Sequence, residues 1–240
     1  MSVAEFPVAV ELRRRPELRR LPVVVATPGA DGHGAIMSCS AEARDLGLRA
    51  GMPLAAARRP GVAVLPLDRV ACRAAARETA SVLRTVPGHW TSDGWGEASL
   101  VPLAGDDAGA VAAVIQRRLF AATGLTCAIG IGDNALQPGL AARLAAPAGV
   151  VELDRARWRE RVGPLEPDVL TGIGPKRRER LHELGLERVE DLAAADEPLL
   201  VSAFGHSLGP QLRRIARGEN GLVKAGRRRP RRRPDPPRRG

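Results

Sequence analysis

Leu170-Thr-Gly-Ile-Gly-Pro-Lys176-Arg-Arg-Glu-Arg-Leu181-His-Glu-Leu184-Gly-Leu186 reads as a helix-hairpin-helix. Gly172 and Gly174 permit a tight turn with close backbone approach, and Pro175 stands at the first helical position, where a missing N–H costs nothing. The free amides of such a turn point outward at a helix start and suit a phosphate without reading a base. Gly172, Ile173, Gly174 and Lys176 are therefore the candidate DNA-binding residues. Lys176 adds a point charge, and Leu181, Leu184 and Leu186 pack the hairpin. The competing reading is a plain glycine-rich helix connection. Read as a hairpin, the motif concerns backbone binding and says nothing of chemistry.

Outward from this stretch the chain has two textures. Downstream, Val189–Ala194, Leu199–Phe204 and Leu208–Arg217 read as further short helices, so a small all-α domain is expected over 156–222. Upstream, apolar runs alternate with helical periods. Pro22–Thr27, Gly34–Ser38, Val62–Leu65, Ala98–Leu103 and Leu125–Ile131 read as strands. Ala41–Leu46, Met52–Arg59, Val70–Thr85, Ala108–Thr123 and Leu140–Ala145 read as helices. An α/β or α+β domain over 1–155 follows. Residues 223–240 are Arg/Pro-rich with nothing apolar to bury and read as a disordered basic tail.

Charge sharpens this division. The 240 residues carry a formal net charge of +10, which favours a polyanionic partner. Nine basic residues and one acid fall between Gly221 and Gly240, leaving the remainder nearly neutral. The tail is either a solubilising end or a non-specific grip on nucleic acid. Cys39, Cys72 and Cys127 are scattered without CxxC spacing, which argues against a zinc site and a disulfide framework. No run reaches the roughly 18 apolar residues of a membrane span. Without a signal-peptide pattern, a cytoplasmic, nucleoid-associated location is the expectation.

Several further stretches resemble the Y-family DNA polymerases of the DinB/UmuC type, in order and across roughly residues 2–220. Val10-Glu-Leu-Arg-Arg-Arg-Pro-Glu-Leu-Arg-Arg-Leu-Pro-Val-Val-Val25 resembles the first palm segment. Ser40-Ala-Glu-Ala-Arg44-Asp-Leu-Gly resembles the fingers motif. Gly124-Leu-Thr-Cys-Ala-Ile-Gly-Ile-Gly-Asp-Asn134 resembles the palm turn, and Ala145-Ala-Pro-Ala-Gly149 a later step. The hairpin and Phe204-Gly205 resemble the thumb. The resemblance implies palm, fingers and thumb, with three carboxylates holding two magnesium ions.

The departures are as specific as the match. Against the family's D-x-D-x-F-F-A-S-V-E, aligned on Glu11, the metal-binding Asp falls on Ser2 and the sugar-sensing aromatic on Pro7. Against S-x-D-E-A-F-L-D, the Asp falls on Gly96 while the Glu survives as Glu97. The triphosphate-contacting Tyr falls on Ala41 and the Lys on Ala135, although Arg44 remains. Glu97 and Arg44 are thus the relics of the catalytic and nucleotide-binding positions. One carboxylate does not make a two-ion site, so no cofactor is expected, or Mg2+ if relocated ligands exist. Glu5 and Asp93 lie near the lost positions, and Asp93 needs a bulge or altered register to be aimed inward.

These readings imply a DNA-binding accessory factor of repair or translesion synthesis, similar to the family's inactive ImuB-like members, with a repair polymerase or recombinase as protein partner. The alternative is an active error-prone polymerase. Gln116-Arg-Arg-Leu-Phe120 resembles a sliding-clamp peptide but lies in a helical stretch, where packing of Leu119 and Phe120 is the better reading. Trp90 and Trp95 either stack on a base or fill a changed core.

Overall fold

The computed structural model describes residues 1–29 and 34–219; the expected disordered tail lies outside the described residues. The chain forms two compact units, the first Met1–Arg157 and the second beginning at Trp158.

The first unit opens with α1 (Phe6–Arg14), started by Pro7 in its first turn and burying Phe6, Val8, Val10 and Glu11. A buried β1 (Val23–Thr27) pairs antiparallel with β2 (Ala35–Cys39). Then α2 (Ala41–Asp45) starts on a Ser40 cap whose side chain accepts from the Ala43 N–H. The expected helix at Met52–Arg59 is only a 3-10 turn, Leu54–Ala57. Pro53 and the Pro60-Gly61 pair confine it. β3 (Ala63–Pro66) runs parallel to β1 and completes a three-stranded sheet in the order β2-β1-β3. Val24, Ala26, Ile36 and Cys39 of this sheet pack with Ala43, Leu48 and Ala57 into one apolar cluster.

A second, larger cluster lies beneath the rest of the unit. It gathers α3 (Arg69–Leu83), capped by Asp68, and α4 (Ala108–Thr123), capped by Asp107 and closed by Gly124. Between these helices β4 (His89–Gly94) and β5 (Glu97–Val101) form an antiparallel hairpin. β6 (Ile129–Gly132) is shorter than the Leu125–Ile131 run suggested, and α5 (Gln137–Ala145) leads to β7 (Val150–Leu153), parallel to β6. Ser2 forms antiparallel bridges to both Glu97 and Ala128, tying the two strand pairs together. All three cysteines are buried free thiols, and burial pushes Cys127 up to about 11.

Gln116 is the internal fastener of this half. Its Nε2 donates to the carbonyls of Cys127 (2.8 Å), Ala148 (2.7 Å) and Gly149 (3.3 Å). Leu119 beside it is fully buried, but Phe120 is 58% exposed, so only half of the Leu-Phe pair packs inward. Helical spacing explains the difference, because adjacent residues point about 100° apart. Gln116→Leu leaves three carbonyls without that donor and is expected to cost about 2 kcal/mol, or roughly 4–8 °C in melting temperature. Thermal unfolding followed by circular dichroism checks this; an unchanged Tm would remove Gln116 from the account.

α6 (Arg155–Val162) begins at the end of the first unit, and in the second unit its Trp158 indole N–H donates to the Ala216 carbonyl at 2.9 Å. α7 (Pro175–Glu183) and α8 (Val189–Ala194) follow, and then α9 (Glu197–Ala216). α9 merges the two helices expected from sequence, with a non-helical break at Gly205 between them. Leu181, Val189, Leu192, Leu200 and Leu212 are buried in this unit.

Candidate functional site

The positions that would carry metal-binding carboxylates converge at the start of β5. Ser2 bridges Glu97, and the Val3 N–H donates to the Gly96 carbonyl at 2.8 Å. Gly96 adopts φ 74°, a left-handed conformation that favours glycine. A Cβ placed there would overlap the ring of Phe6, with Cγ only 2.9 Å away. Phe6 is 4% exposed and belongs to the core. The space a side chain at 96 needs is thus filled with carbon.

Beside this spot runs a cleft of about 710 Å3, whose lining includes Ser2, Asp93, Glu97, Ser99, Asp133 and Asn134. A β-bulge between Ser92 and Gly94 places Asp93 outside the regular register. Asp93 accepts a hydrogen bond from Ser99 Oγ at 2.7 Å. The bulge that the sequence reading required is therefore present, and Asp93 shares the cleft with Glu97. Glu5 does not join them; its carboxylate is held by Ser38, Cys39 and Arg44.

Two divalent ions need several anionic oxygen ligands. The matched positions offer one carboxylate, one hydroxyl and no side chain, so these residues do not fit a two-ion centre. No group of three His, Cys, Asp or Glu suited to a metal occurs among the described residues. Trp90 lines the cleft and its indole N–H donates to the Val86 carbonyl at 2.9 Å, and Trp95 packs against the core. Arg44 lies on α2 with its guanidinium 4.0 Å from Glu5, and Ala41 is that helix's first residue.

The hairpin residues sit in the second unit. Ile173 is 6% exposed and anchors the loop, while Gly172, Gly174 and Lys176 are exposed around it. Gly172 has φ 95°, so the turn requires glycine there. Gly174 does not: its φ of −97° suits any residue, and a Cβ would meet nothing within 4 Å. Neither conformation nor internal packing explains glycine at 174. Arg177 is committed to the Gly172 carbonyl, and Arg178 to Glu166 (2.9 Å) and Asp168 (3.5 Å). Lys176 forms no ion pair among the described residues. Sequence reasoning missed the roles of Phe6 and Ser38; the family pattern has an aromatic at the position of Phe6, but the partners of both residues lie far along the chain.

Comparison with known proteins gives a consistent picture. Residues 2–144 match the model of the impB/mucB/samB family. DNA polymerase IV 2 of Mycobacterium tuberculosis (strain ATCC 25618 / H37Rv) is 40% identical over 211 residues, covering 85% of this chain and 61% of that protein. DNA polymerase IV 2 of Methanosarcina mazei is 31% identical over 226 residues, covering 91% and 61%. DinB from Sulfolobus solfataricus superposes with a TM-score of 0.81 at 21% identity, covering 90% of this chain and 65% of that one. An insertion ternary complex of Dbh DNA polymerase gives 0.81 at 22%, covering 91% and 66%. At such identities the structures speak for the fold. The chain spans about three fifths of the length of these curated relatives.

Proposed function

Since this chain belongs to the impB/mucB/samB family of Y-family DNA polymerases, we propose that it binds DNA in lesion bypass and does not itself add nucleotides. The observation that carries this is Phe6 packed against Gly96. Polymerases of this family work with Mg2+, and here one ligand position is a hydroxyl and another is closed by an aromatic ring. DNA is the partner this reading assigns, held through the hairpin of Gly172, Ile173, Gly174 and Lys176. An anion at the exposed turn would meet the amides of Gly172 and Gly174, which donate to no other described group, with Lys176 beside them. Such contacts position a duplex and carry no sequence information.

A second reading has one observation in its favour. The bulge at Asp93 brings a second carboxylate to the cleft that holds Glu97. Two carboxylates with Ser2 and Ser99 would then have to serve as relocated ligands. Primer extension on undamaged and lesion-containing templates, with Mg2+ or Mn2+, separates the two. The expected result is no extension together with measurable primer-template binding by fluorescence anisotropy. Extension abolished by either Asp93→Asn or Glu97→Gln would establish the second reading instead.

A further inference from the structure

Glu5 has φ 51°, and among the described residues only Arg20 joins it as a non-glycine residue with positive φ. A left-handed backbone is unfavourable at a residue with a Cβ, so the contacts of its side chain must hold it. Oε2 accepts hydrogen bonds from Ser38 Oγ (2.7 Å) and from the Cys39 N–H (2.8 Å). Oε1 lies 4.0 Å from Arg44 Nη1. The Ser38 oxygen in turn accepts from the Val8 N–H at 3.4 Å, which leaves its hydrogen aimed at Glu5. A second cation stands close by: burial and then Glu5 push the Cys39 thiol up, while Arg44 and Arg49 pull it down.

A hydroxyl, a backbone amide and a guanidinium converging on one pair of oxygens is a donor set suited to any oxyanion edge. Carboxylate and phosphate oxygens present the same acceptors, and phosphate carries more charge. A tethered carboxylate, however, competes at the high effective concentration of an intramolecular group. We propose that Glu5 is a built-in competitor, occupying the cradle of Ser38, the Cys39 N–H and Arg44 in the place of a free phosphate and closing it to polyphosphate ligands. The inference goes beyond the DNA-backbone reading, since the hairpin takes no part in it.

The test uses the full chain and inorganic tripolyphosphate, with binding measured by isothermal titration calorimetry. The wild type is expected to give no binding heat at millimolar ligand beyond that of Arg44→Ala, which carries the same basic residues 221–240. Glu5→Gly removes the carboxylate and suits the left-handed backbone, so it folds, and its affinity rises at least tenfold. Glu5→Gln keeps an acceptor for Ser38 and Cys39 without the charge, and gains less. In Glu5→Gly/Arg44→Ala the gain disappears. dATP, which carries the same phosphate chain, gains in parallel. No gain in Glu5→Gly with an unchanged melting temperature overturns the proposal. A gain that survives Arg44→Ala, or one for dATP without tripolyphosphate, overturns it too. Primer-template binding by the same variants stays at the wild-type level, which separates this result from the fate of the DNA reading.

Discussion

Gly96→Asp is expected to lower the melting temperature by roughly 5–15 °C, from about 2–4 kcal/mol of overpacking and backbone strain. The new Cβ must displace the Phe6 ring, which lies wholly inside the larger core of the first unit. A core packed like a crystal yields only by moving several neighbours. Replacing Phe6 alone with Ala costs about 3–5 kcal/mol through the cavity it leaves. In the double variant the new carboxylate uses that cavity. The two costs should therefore fall short of additivity by at least about 1 kcal/mol. Restoring Ser2→Asp or Gly96→Asp singly should yield no primer extension. If Gly96→Asp melts like the wild type, Phe6 does not block the position, and the main support for a non-polymerising protein is gone.

Gly174→Val should leave stability within about 1 kcal/mol of the wild type, because the backbone there suits valine and only a modest capping preference is lost. Its effect on DNA should be much larger. Hydrogen bonds to charged groups contribute about 1.5–3 kcal/mol each, so holding one phosphate off the Gly174 amide weakens binding about tenfold or more. Lys176→Ala should reduce the slope of log K against log salt by about 0.9, the release from one phosphate contact. Removing residues 221–240 should flatten the slope further without abolishing binding. Anisotropy titrations across a salt series read all three. A Gly174→Val protein that binds as tightly as the wild type would place the grip elsewhere and return the hairpin to a plain helix connection.

The elements legible in the sequence were those whose pattern is local. Val23–Thr27 is a β-branched run buried on both faces, and Ala108–Thr123 keeps helical period between an Asp cap and a glycine stop. The elements that escaped lack such a signal. β4 is almost wholly exposed and polar, so no alternation marks it, and β7 is nearly as exposed. α1 begins with Phe6-Pro7, which reads as a break until Pro7 is recognised in the first turn. α6 is arginine-rich and buries only Trp158 and Val162. At the site, alignment on the family's motifs placed Ser2, Gly96 and Glu97 at the carboxylate positions. What fills the vacated space was not legible, because Phe6 meets Gly96 across the fold. The same holds for Glu5, whose Ser38 and Cys39 partners come from β2, and for the exposure of Phe120, which depends on the faces of α4 already used by Gln116 and Leu119.

Ser2 carries a kinetic consequence. Its double bridge joins the beginning of the first unit to β5 and to the approach to β6, both far along the chain. Contacts between such distant residues form only after a large loop-closure cost has been met. The smaller apolar cluster around β1 and the helices α3 and α4 can organise earlier, from closer neighbours. The cleft of Glu97 would then be the last part of the unit to close during refolding and the first to open. Hydrogen exchange should find the Ser2 and Ala128 amides, each bonded to the other's carbonyl at 2.8 Å, opening ahead of those in β1.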